Sequence, residues 1–159
     1  MLRRICSILL VALLLISGCA VKQVNNNEEE DFIKFFIPDR YAMYWLIEEK
    51  PIHNNDLKAI VNEVIKHKNS RIAEGTKLLS IEVKDRIANV NLSKEFNSYN
   101  LGSCGTLCSI YTIVNTLCLN ESLGIDGVKF LIEGKSVKTI GECIGDNVIA
   151  ANAKLLPTY

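Results

Sequence analysis

The sequence contains few of the side chains that most often carry out enzyme chemistry. It has two histidines, one tryptophan and three prolines among 159 residues. Histidine is the commonest general acid or base, and here His53 precedes a predicted helix while His67 lies in its last turn. Ser93 and Glu95 flank Lys94 on an extended segment, where adjacent side chains point to opposite faces. We therefore expect no catalytic residue and interpret the protein as a non-enzyme.

Charge of either sign is not in excess. Eighteen Lys and Arg balance eighteen Asp and Glu, and 48% of the residues are apolar. A protein without a basic excess has no general attraction for the phosphates of nucleic acid, so nucleic acid is not an expected partner. The composition is typical of a folded protein, and the length suits one domain.

The apolar run at the N-terminus is too short to span a membrane. Ile5 to Ile16 forms a mainly apolar run of twelve residues that follows Arg3 and Arg4. As a helix this run would extend about 18 Å, less than the hydrocarbon core of about 30 Å. A basic start, a short apolar centre and small residues at the end are typical of an export signal. We predict that residues 1–18 form a lipoprotein signal peptide.

The end of this signal, Ile16-Ser17-Gly18-Cys19, resembles the bacterial lipobox. The resemblance implies cleavage before Cys19 and diacylation of its sulfur, which would hold the protein outside the cytoplasm on the cell membrane. A secretory signal with a chance cysteine is the alternative. Residues 19–31 then form the lipidated cysteine and a polar tether, whose reach as a flexible chain is roughly 20 Å.

The rest of the chain, residues 32–159, has the alternation of a single folded domain. Phe32 to Ile37 is strand-like and stops at a Pro38-Asp39-Arg40 turn signal, after which Tyr41 to Ile47 predicts a second extended stretch. Asn54-Asn55-Asp56 then offers helix-capping side chains. A helix is predicted from the apolar stripe that follows: Leu57, Ile60, Val61, Val64 and Ile65.

A hairpin, a second helix and a further strand complete the pattern. The apolar face of the hairpin is predicted to hold Leu79, Ile81 and Val83 on one strand and Ala88, Val90 and Leu92 on the other. Gly102 to Gly105 reads as a flexible approach to a helix from Thr106 to Asn120, and Val128 to Ile132 reads as a strand. Beyond Gly134, residues 137–140 predict a short strand, and residues 147–156 an edge strand or irregular chain. The fold class is α+β, with a mixed, mainly antiparallel sheet and two helices packed on one face.

Four blocks of residues, in order, resemble the GerMN domain of sporulation and spore germination proteins. They are Gly75 to Val83, Ala88 to Phe96, Ile113 to Leu117 and Val128 to Gly134. The resemblance runs from about Phe32 to Gly141. It implies a fold similar to ring-building-motif domains and a noncatalytic role in protein interaction and assembly. This makes an envelope protein the expected partner.

Two features depart from the family pattern. Arg86 stands where the hairpin turn usually has Gly, and a two-residue turn would place Arg86 at positive φ, so we expect a longer turn. The best-studied members carry two such domains in tandem, whereas this chain has room for one. Any function that needs the pair is therefore not implied.

The cysteines leave several readings open. Cys104, Cys108, Cys118 and Cys143 remain after the signal and Cys19, and they could be core thiols, disulfides in three complete pairings, or zinc ligands. Their spacing is not a recognised zinc pattern, and Gly102 to Gly105 lacks the spacing of a phosphate loop. We expect no cofactor and no metal. A continuous second helix would separate Cys108 from Cys118 by about 15 Å, which excludes a bond between them.

The function that these expectations favour is an extracytoplasmic, membrane-tethered interaction module in sporulation or spore germination. The alternative is an accessory lipoprotein that binds cell wall or a germinant through exposed aromatic rings. Tyr41, Tyr44 and Trp45 lie close together in the sequence and could stack on sugars, unless Trp45 belongs to the core. The sequence does not determine whether the protein binds a small molecule, which oligomeric state it adopts or at which stage of sporulation it acts.

Overall fold

The structure, a computed structural model, describes residues 31–98, 102–141, 143–144 and 147–154. The predicted signal peptide, Cys19 and nearly all of the tether lie outside the described residues, as do residues 155–159. Within the described residues no helix is both long and apolar enough to cross a bilayer.

The first element is a two-stranded antiparallel ribbon. It pairs β1 (Asp31–Pro38) with β2 (Trp45–Ile52), in register from Asp31 opposite Ile52 to Pro38 opposite Trp45. The prediction that Tyr41 to Ile47 is extended is wrong for its first half, because hydrogen bonds to Asp39 hold that segment in a turn. β2 continues past the predicted end through Pro51, which an edge strand tolerates.

A short 3-10 turn (His53–Asn55) leads into helix α1 (Leu57–Lys66). The carboxylate of Asp56 accepts the backbone N–H groups of Lys58 and Ala59, so the predicted capping is confirmed. The apolar stripe buries Ile60, Val61 and Val64, and the helix ends before His67.

A four-stranded sheet has the order β3 (Leu78–Lys84), β4 (Ile87–Leu92), β5 (Gly127–Ile132) and β6 (Lys135–Ser136). β4 and β5 run parallel, and the other neighbours are antiparallel. The alternation of β4 is confirmed, since Ala88, Val90 and Leu92 are fully buried. On β3 a bulge between Leu78 and Ser80 leaves Leu79 46% exposed, and Val83 is 45% exposed near the turn. The predicted buried positions of Leu79 and Val83 are therefore wrong.

The hairpin turn between β3 and β4 is tighter than the sequence predicts. Lys84 pairs with Ile87, so the loop has two residues, and both Asp85 (φ 51°) and Arg86 (φ 63°) are left-handed. The prediction of a longer turn is wrong. Arg86 is held from outside the turn, by two hydrogen bonds from its guanidinium to Asp126 at 2.5 and 2.6 Å.

Helix α2 (Gly102–Cys118) is continuous and carries no charged residue. Gly102 to Gly105 forms its first turn, so the prediction of a flexible approach is wrong, and the helix ends two residues before the predicted Asn120. A 3-10 turn (Lys94–Asn97) precedes α2, and another (Glu121–Leu123) follows it. Nearly every residue from Thr106 to Leu117 is buried, so α2 is the central element of the core.

The remaining pairings are short. β7 (Thr139–Ile140) pairs with β8 (Cys143–Ile144), and Ile149 forms an isolated bridge with Val128. The strand predicted for residues 137–140 is therefore confirmed over its second half. The core joins β1, both helices, β4 and β5 through Ile33, Phe35, Ile60, Val90, Ile113, Leu117 and Phe130. The α+β class with two helices and mixed, mainly antiparallel pairing is confirmed, although the strands divide among three sheets.

Candidate interaction surface

Exposed large apolar side chains concentrate on the β1–β2 ribbon. Of nine in the described residues, six belong to this ribbon or its turn. We call these six the hairpin patch: Phe32, Tyr41, Met43, Tyr44, Leu46 and Ile47. Tyr41 is 75% exposed and Ile47 is 57% exposed, so the patch exposes large apolar side chains to solvent, as protein-binding surfaces do.

The turn that presents Tyr41, Met43 and Tyr44 is organised by Asp39. The buried carboxylate of Asp39 accepts backbone N–H groups of Tyr41 at 3.0 Å, Met43 at 2.5 Å and Tyr44 at 3.1 Å. The backbone of Asp39 also bonds to Tyr44 and Ala42. A single carboxylate thus replaces the hydrogen bonds that a regular strand would supply, and it fixes the direction of the tip.

The ionisation of Asp39 follows from these contacts. Partial desolvation raises the pKa of Asp39, but the three backbone donors and the nearby Arg71 guanidinium together outweigh it, and the pKa lies below its usual value. Arg71 also donates a hydrogen bond to the carbonyl of Arg40. The turn is therefore held by an ionised group at neutral pH.

One edge of the ribbon is closed by helix α2. Phe36 N–H bonds to the Thr116 hydroxyl at 3.1 Å, and the Thr112 hydroxyl donates to Phe36 carbonyl at 2.5 Å. The Asn120 side chain accepts from Lys34 N–H at 2.9 Å and donates to Lys34 carbonyl at 2.8 Å. Polar side chains at four-residue intervals, Thr112 and Thr116 on α2 and Asn120 just after its end, thus take the place of a third strand.

The other edge of the ribbon is open. Because the backbone groups of Lys34 and Phe36 point towards α2, alternation requires those of Ile33, Phe35 and Ile37 to point towards β2. On β2 the outward-facing backbone groups are consequently those of Trp45, Ile47 and Glu49, which are opposite Pro38, Phe36 and Lys34. In the part of the chain that the structure describes, β2 pairs with β1 alone.

The three aromatic residues singled out in the sequence are in different environments. Tyr41 and Tyr44 are exposed, with the guanidinium of Arg40 5.8 Å from the ring centre of Tyr41. Trp45 is half-buried, and its Nε1 is buried without a hydrogen-bond partner in the described residues. The sequence therefore indicated the tip of the patch. It did not indicate Phe32, Leu46 or Ile47, because alternation alone cannot distinguish an exposed apolar face from a buried one.

His67 has a structural position and lies away from the tip. Its Nδ1 accepts the backbone N–H of Asn69 at 3.2 Å, so Nε2 carries the hydrogen that points to Glu48 Oε1 at 3.2 Å. His67 thereby joins the end of α1 to β2, next to the 2.5 Å ion pair of Lys50 with Glu63. His53 lies in the exposed 3-10 turn before α1.

Ser93 and Glu95 contact each other, and their hydrogen bonds stabilise the fold. The buried Ser93 hydroxyl accepts the backbone N–H of Lys77 at 2.9 Å, and its hydrogen bond with Glu95 lowers the pKa of that carboxyl. Glu95 therefore stays ionised at neutral pH. It lines a cavity of about 360 Å³ together with Glu74 and Ser98. These contacts hold β3 to the end of β4.

The thiols and the possible ligand clusters can be placed. Cys104, Cys108 and Cys118 are free thiols on the continuous helix α2, as the expected separation of Cys108 and Cys118 requires. Burial raises the pKa of Cys108 to about 12 and that of Cys118 to about 11. Cys143 lies half-buried on β8. Within the described residues no group of three or more His, Cys, Asp or Glu side chains could hold a metal ion.

The family model for sporulation and spore germination, named Germane, matches residues 25–138 of this chain. The chain belongs to the Germane family. The resemblance to GerMN domains is therefore confirmed, and the domain works in the context of sporulation and germination. The matched range contains the whole hairpin patch and the five longest strands of the Germane domain. A search of curated protein sequences gives no match.

Solved structures show the same fold at low sequence identity. The first GerMN domain of the sporulation protein GerM from Bacillus subtilis is 17% identical, with a TM-score of 0.60 over 78% of this chain and 98% of that one. A predicted lipoprotein from Clostridium perfringens is 20% identical, with a TM-score of 0.53 over 76% of this chain and 85% of that one. The tandem GerMN domains of Bacillus subtilis GerM give a TM-score of 0.55 at 20% identity, over 78% of this chain and 45% of that one.

Proposed function

We propose that this Germane domain is a noncatalytic interaction module, anchored outside the cytoplasm by lipid at Cys19. In this account residues 1–18 are the signal peptide, residues 19–31 are the lipidated cysteine and tether, and residues 32–159 are the single domain. The domain binds a protein of the cell envelope through the hairpin patch. The concentration of six exposed large apolar side chains on one ribbon is the observation that supports this proposal.

Electrostatics and geometry favour a protein over the membrane as the partner of the patch. The ribbon carries acids and bases together, including Lys34, Arg40, Glu48 and Glu49, and such a mixed surface has no preference for anionic lipid. The tether joins β1 at its first residue, whereas Tyr41 lies beyond the far end of that strand. Eight residues of strand extend about 26 Å, which places the tip well away from the attachment of the tether.

The noncatalytic proposal draws on how the candidate groups are used. Ser93 and His67 hold neighbouring elements together, and Glu95 is kept ionised by Ser93. A general acid needs a pKa near the working pH, which the lowered pKa of Glu95 does not provide. The structural contacts of Ser93, Glu95 and His67 explain their positions without a catalytic role.

The anchor is tested by replacing Cys19 with Ala in the full chain. We expect the precursor to stay uncleaved, or the domain to leave the membrane fraction, and the lipid mass to be lost. Replacing Cys104 with Ala is the matched control and leaves lipidation and fractionation unchanged, because Cys104 lies in helix α2. Normal cleavage and an unchanged lipid mass in the Cys19 variant would contradict the assignment of the anchor.

The binding surface is tested with the double variant Tyr41→Ser and Ile47→Ser. Val83→Ser is the matched control, because Val83 is similarly apolar and 45% exposed but lies on β3. Protein complexes are recovered from sporulating cells by affinity purification and quantified by mass spectrometry. We expect the double variant to stay folded and membrane-bound while losing a partner that the control retains. Equal recovery of every partner by the two variants would contradict the proposed surface.

The exposure of Tyr41 beside Arg40 favours a second candidate, an accessory protein that binds cell wall. An exposed aromatic ring with a neighbouring guanidinium can stack on a sugar and bond to its polar groups. Sedimentation of the protein with purified peptidoglycan distinguishes the two. Binding that is lost in Tyr41→Ser and retained in Ile47→Ser would favour this second candidate.

A further inference from the structure

We propose that the domain binds its protein partner by strand addition, accepting an extended segment of the partner along the open edge of β2 from Trp45 to Glu49. This inference rests on the proposed function, because it specifies how the hairpin patch contacts the partner. The ligand is a stretch of polypeptide in β conformation, so the main contacts are hydrogen bonds between backbones.

The open edge offers a regular row of backbone donors and acceptors. The N–H and C=O groups of Trp45, Ile47 and Glu49 point away from β1, and the described residues provide no hydrogen-bond partner for them. Alternate residues of a strand are about 6.8 Å apart, which is the spacing of the complementary groups on another strand. Hydrocarbon cannot satisfy such groups, so a lipid surface is a poor occupant of this edge.

At the opposite edge of the ribbon, along β1, side chains prevent the pairing of a further strand. Thr112, Thr116 and Asn120 occupy the backbone groups of Phe36 and Lys34, so no strand can add beside β1. No described residue covers the edge of β2 in this way, and its register with β1 is uninterrupted over all eight residues. Because natural proteins usually protect edge strands, an uncovered and regular edge indicates a binding site.

The open edge of the four-stranded sheet is less suitable. β3 is interrupted by the bulge between Leu78 and Ser80, and a bulge is a common device against strand addition. Only Ile81 and Val83 remain beyond the bulge with outward backbone groups before the turn. We therefore assign the added strand to β2 and use β3 as an internal control.

The length of the open edge and its exposed side chains indicate which partner segment would fit. Pro51 has no N–H, and Lys50 is engaged with Glu63 of α1, so productive pairing ends near Glu49. Ile47 is 57% exposed, and Glu49 makes no ion pair within the described residues. A complementary strand places an apolar residue beside Ile47 and a Lys or Arg beside Glu49.

Two substitutions at one position separate backbone pairing from side-chain contact. Ile47→Pro removes the outward N–H, and a proline in this orientation is compatible with an edge strand. Ile47→Thr removes much of the apolar side chain but keeps the N–H and the β-branch. Strand addition predicts that the proline variant binds the partner peptide about tenfold more weakly than the threonine variant, because it loses one backbone hydrogen bond and disturbs the neighbouring ones.

The probe is a peptide defined by photocrosslinking. Benzoylphenylalanine in place of Tyr44 is activated in sporulating cells, the crosslinked segment is sequenced by mass spectrometry, and its synthetic peptide is titrated against the full lipidated chain in nanodiscs. Amide hydrogen exchange is measured on the unsubstituted protein with and without the peptide. We expect slower exchange at Ile47 and Glu49 and no change at Ile81 of β3.

Each outcome decides a different statement. If the peptide binds the two Ile47 variants equally and leaves the amides of Ile47 and Glu49 unprotected, strand addition is wrong while the proposed function stands. A crosslink to lipid alone, or no crosslink, overturns the proposed function as well. A crosslink to a second copy of this chain would contradict the proposal that the partner is a different protein. If Ile47→Pro does not fold, protection of the amides in the unsubstituted protein decides the question.

Discussion

At the scale of single residues, side chains replace missing backbone partners at several points. Asn120 is the clearest case, since its buried amide bonds to both backbone groups of Lys34 and to the carbonyl of Thr116 at 2.7 Å. A buried backbone group without a partner is costly, so residues of this kind determine where strands and helices can meet.

We predict that Asn120→Ala lowers the free energy of unfolding by roughly 1–3 kcal/mol, because the part-buried N–H and C=O of Lys34 and the buried C=O of Thr116 lose this partner. Urea denaturation followed by circular dichroism measures the change. Asn62→Ala is the control: Asn62 is half-buried on α1, and its side chain makes no hydrogen bond in the described residues. We expect this control to change stability by less than about 0.5 kcal/mol. Similar losses in both variants would contradict the role of Asn120.

The Arg86–Asp126 pair predicts a dependence of stability on pH. The hydrogen bond from Arg86 lowers the pKa of Asp126 in the folded protein. A lowered carboxyl pKa contributes stability above the unfolded value of about 3.9 and loses it as the pH falls through the folded pKa.

We therefore expect Asp126→Asn to lower the melting temperature at neutral pH, with the difference from the unsubstituted protein disappearing in strong acid. Both side chains are more than half exposed, so added salt reduces the effect. Asp85→Asn is the control, because Asp85 lies next to Arg86 in the turn between β3 and β4. A melting difference for Asp126→Asn that stays constant from neutral pH to strong acid would show that the ion pair is not its cause.

The thiols of α2 are predicted to react at different rates. Burial keeps Cys108 and Cys118 protonated, with pKa values of about 12 and 11, whereas Cys104 is exposed in the first turn of the helix. Iodoacetamide at pH 8 should modify Cys104 first, and Cys108 only after unfolding by urea. Peptide mapping measures the rates, and equal rates for Cys104 and Cys108 in the folded protein would contradict this packing.

At the scale of secondary structure, local patterns predicted the elements better than their boundaries. The stripe of α1 and the alternation of β4 were sufficient, because each segment buries one face. The turn signal at Pro38-Asp39-Arg40 was correct, but the continuation of the turn to Tyr44 was missed, because it depends on the buried carboxylate of Asp39. The positive φ of Arg86 was missed for a related reason: Asp126, which holds Arg86, lies 40 residues further along the chain. The bulge at Leu79 was also missed.

The candidate surface was only partly predictable for the same reason. Tyr41 and Tyr44 could be proposed from the sequence. Which edge of the ribbon is left open could not, because α2 and Asn120 cover the edge of β1 and not that of β2. That cover comes from residues about 80 positions away from β1.

Gly127 allows a prediction about how β5 meets the C-terminal segment. A Cβ at this position would lie 2.5 Å from Val148 Cγ1, so Gly127→Ala forces the bridge between Val128 and Ile149 apart. We expect a loss of roughly 1–3 kcal/mol in the free energy of unfolding. The double variant with Val148→Ala removes the obstructing methyl and should recover much of the loss. Failure of the second substitution to recover stability would place the strain elsewhere.

At the scale of the whole molecule, the domain combines a closed core with one open ribbon. Helix α2 fills the core and closes one edge of the ribbon, while the described residues leave the hairpin patch and the edge of β2 accessible. The proposed anchor at Cys19 would attach the domain at the start of β1 and leave the turn at Asp39 at the far end of the ribbon. This arrangement suits a module that contacts another envelope protein while it remains on the membrane.

The central claim is that the protein works by binding through the hairpin patch and not by turnover. Spore formation and germination are measured in parallel for the Tyr41→Ser and Ile47→Ser double variant and for single substitutions of His53, His67, Ser93 and Glu95, with abundance and membrane location checked for each. The account predicts that the double variant loses function and that each single variant retains it. Loss of function in a folded, membrane-located single variant, with normal function in the double variant, would contradict the account.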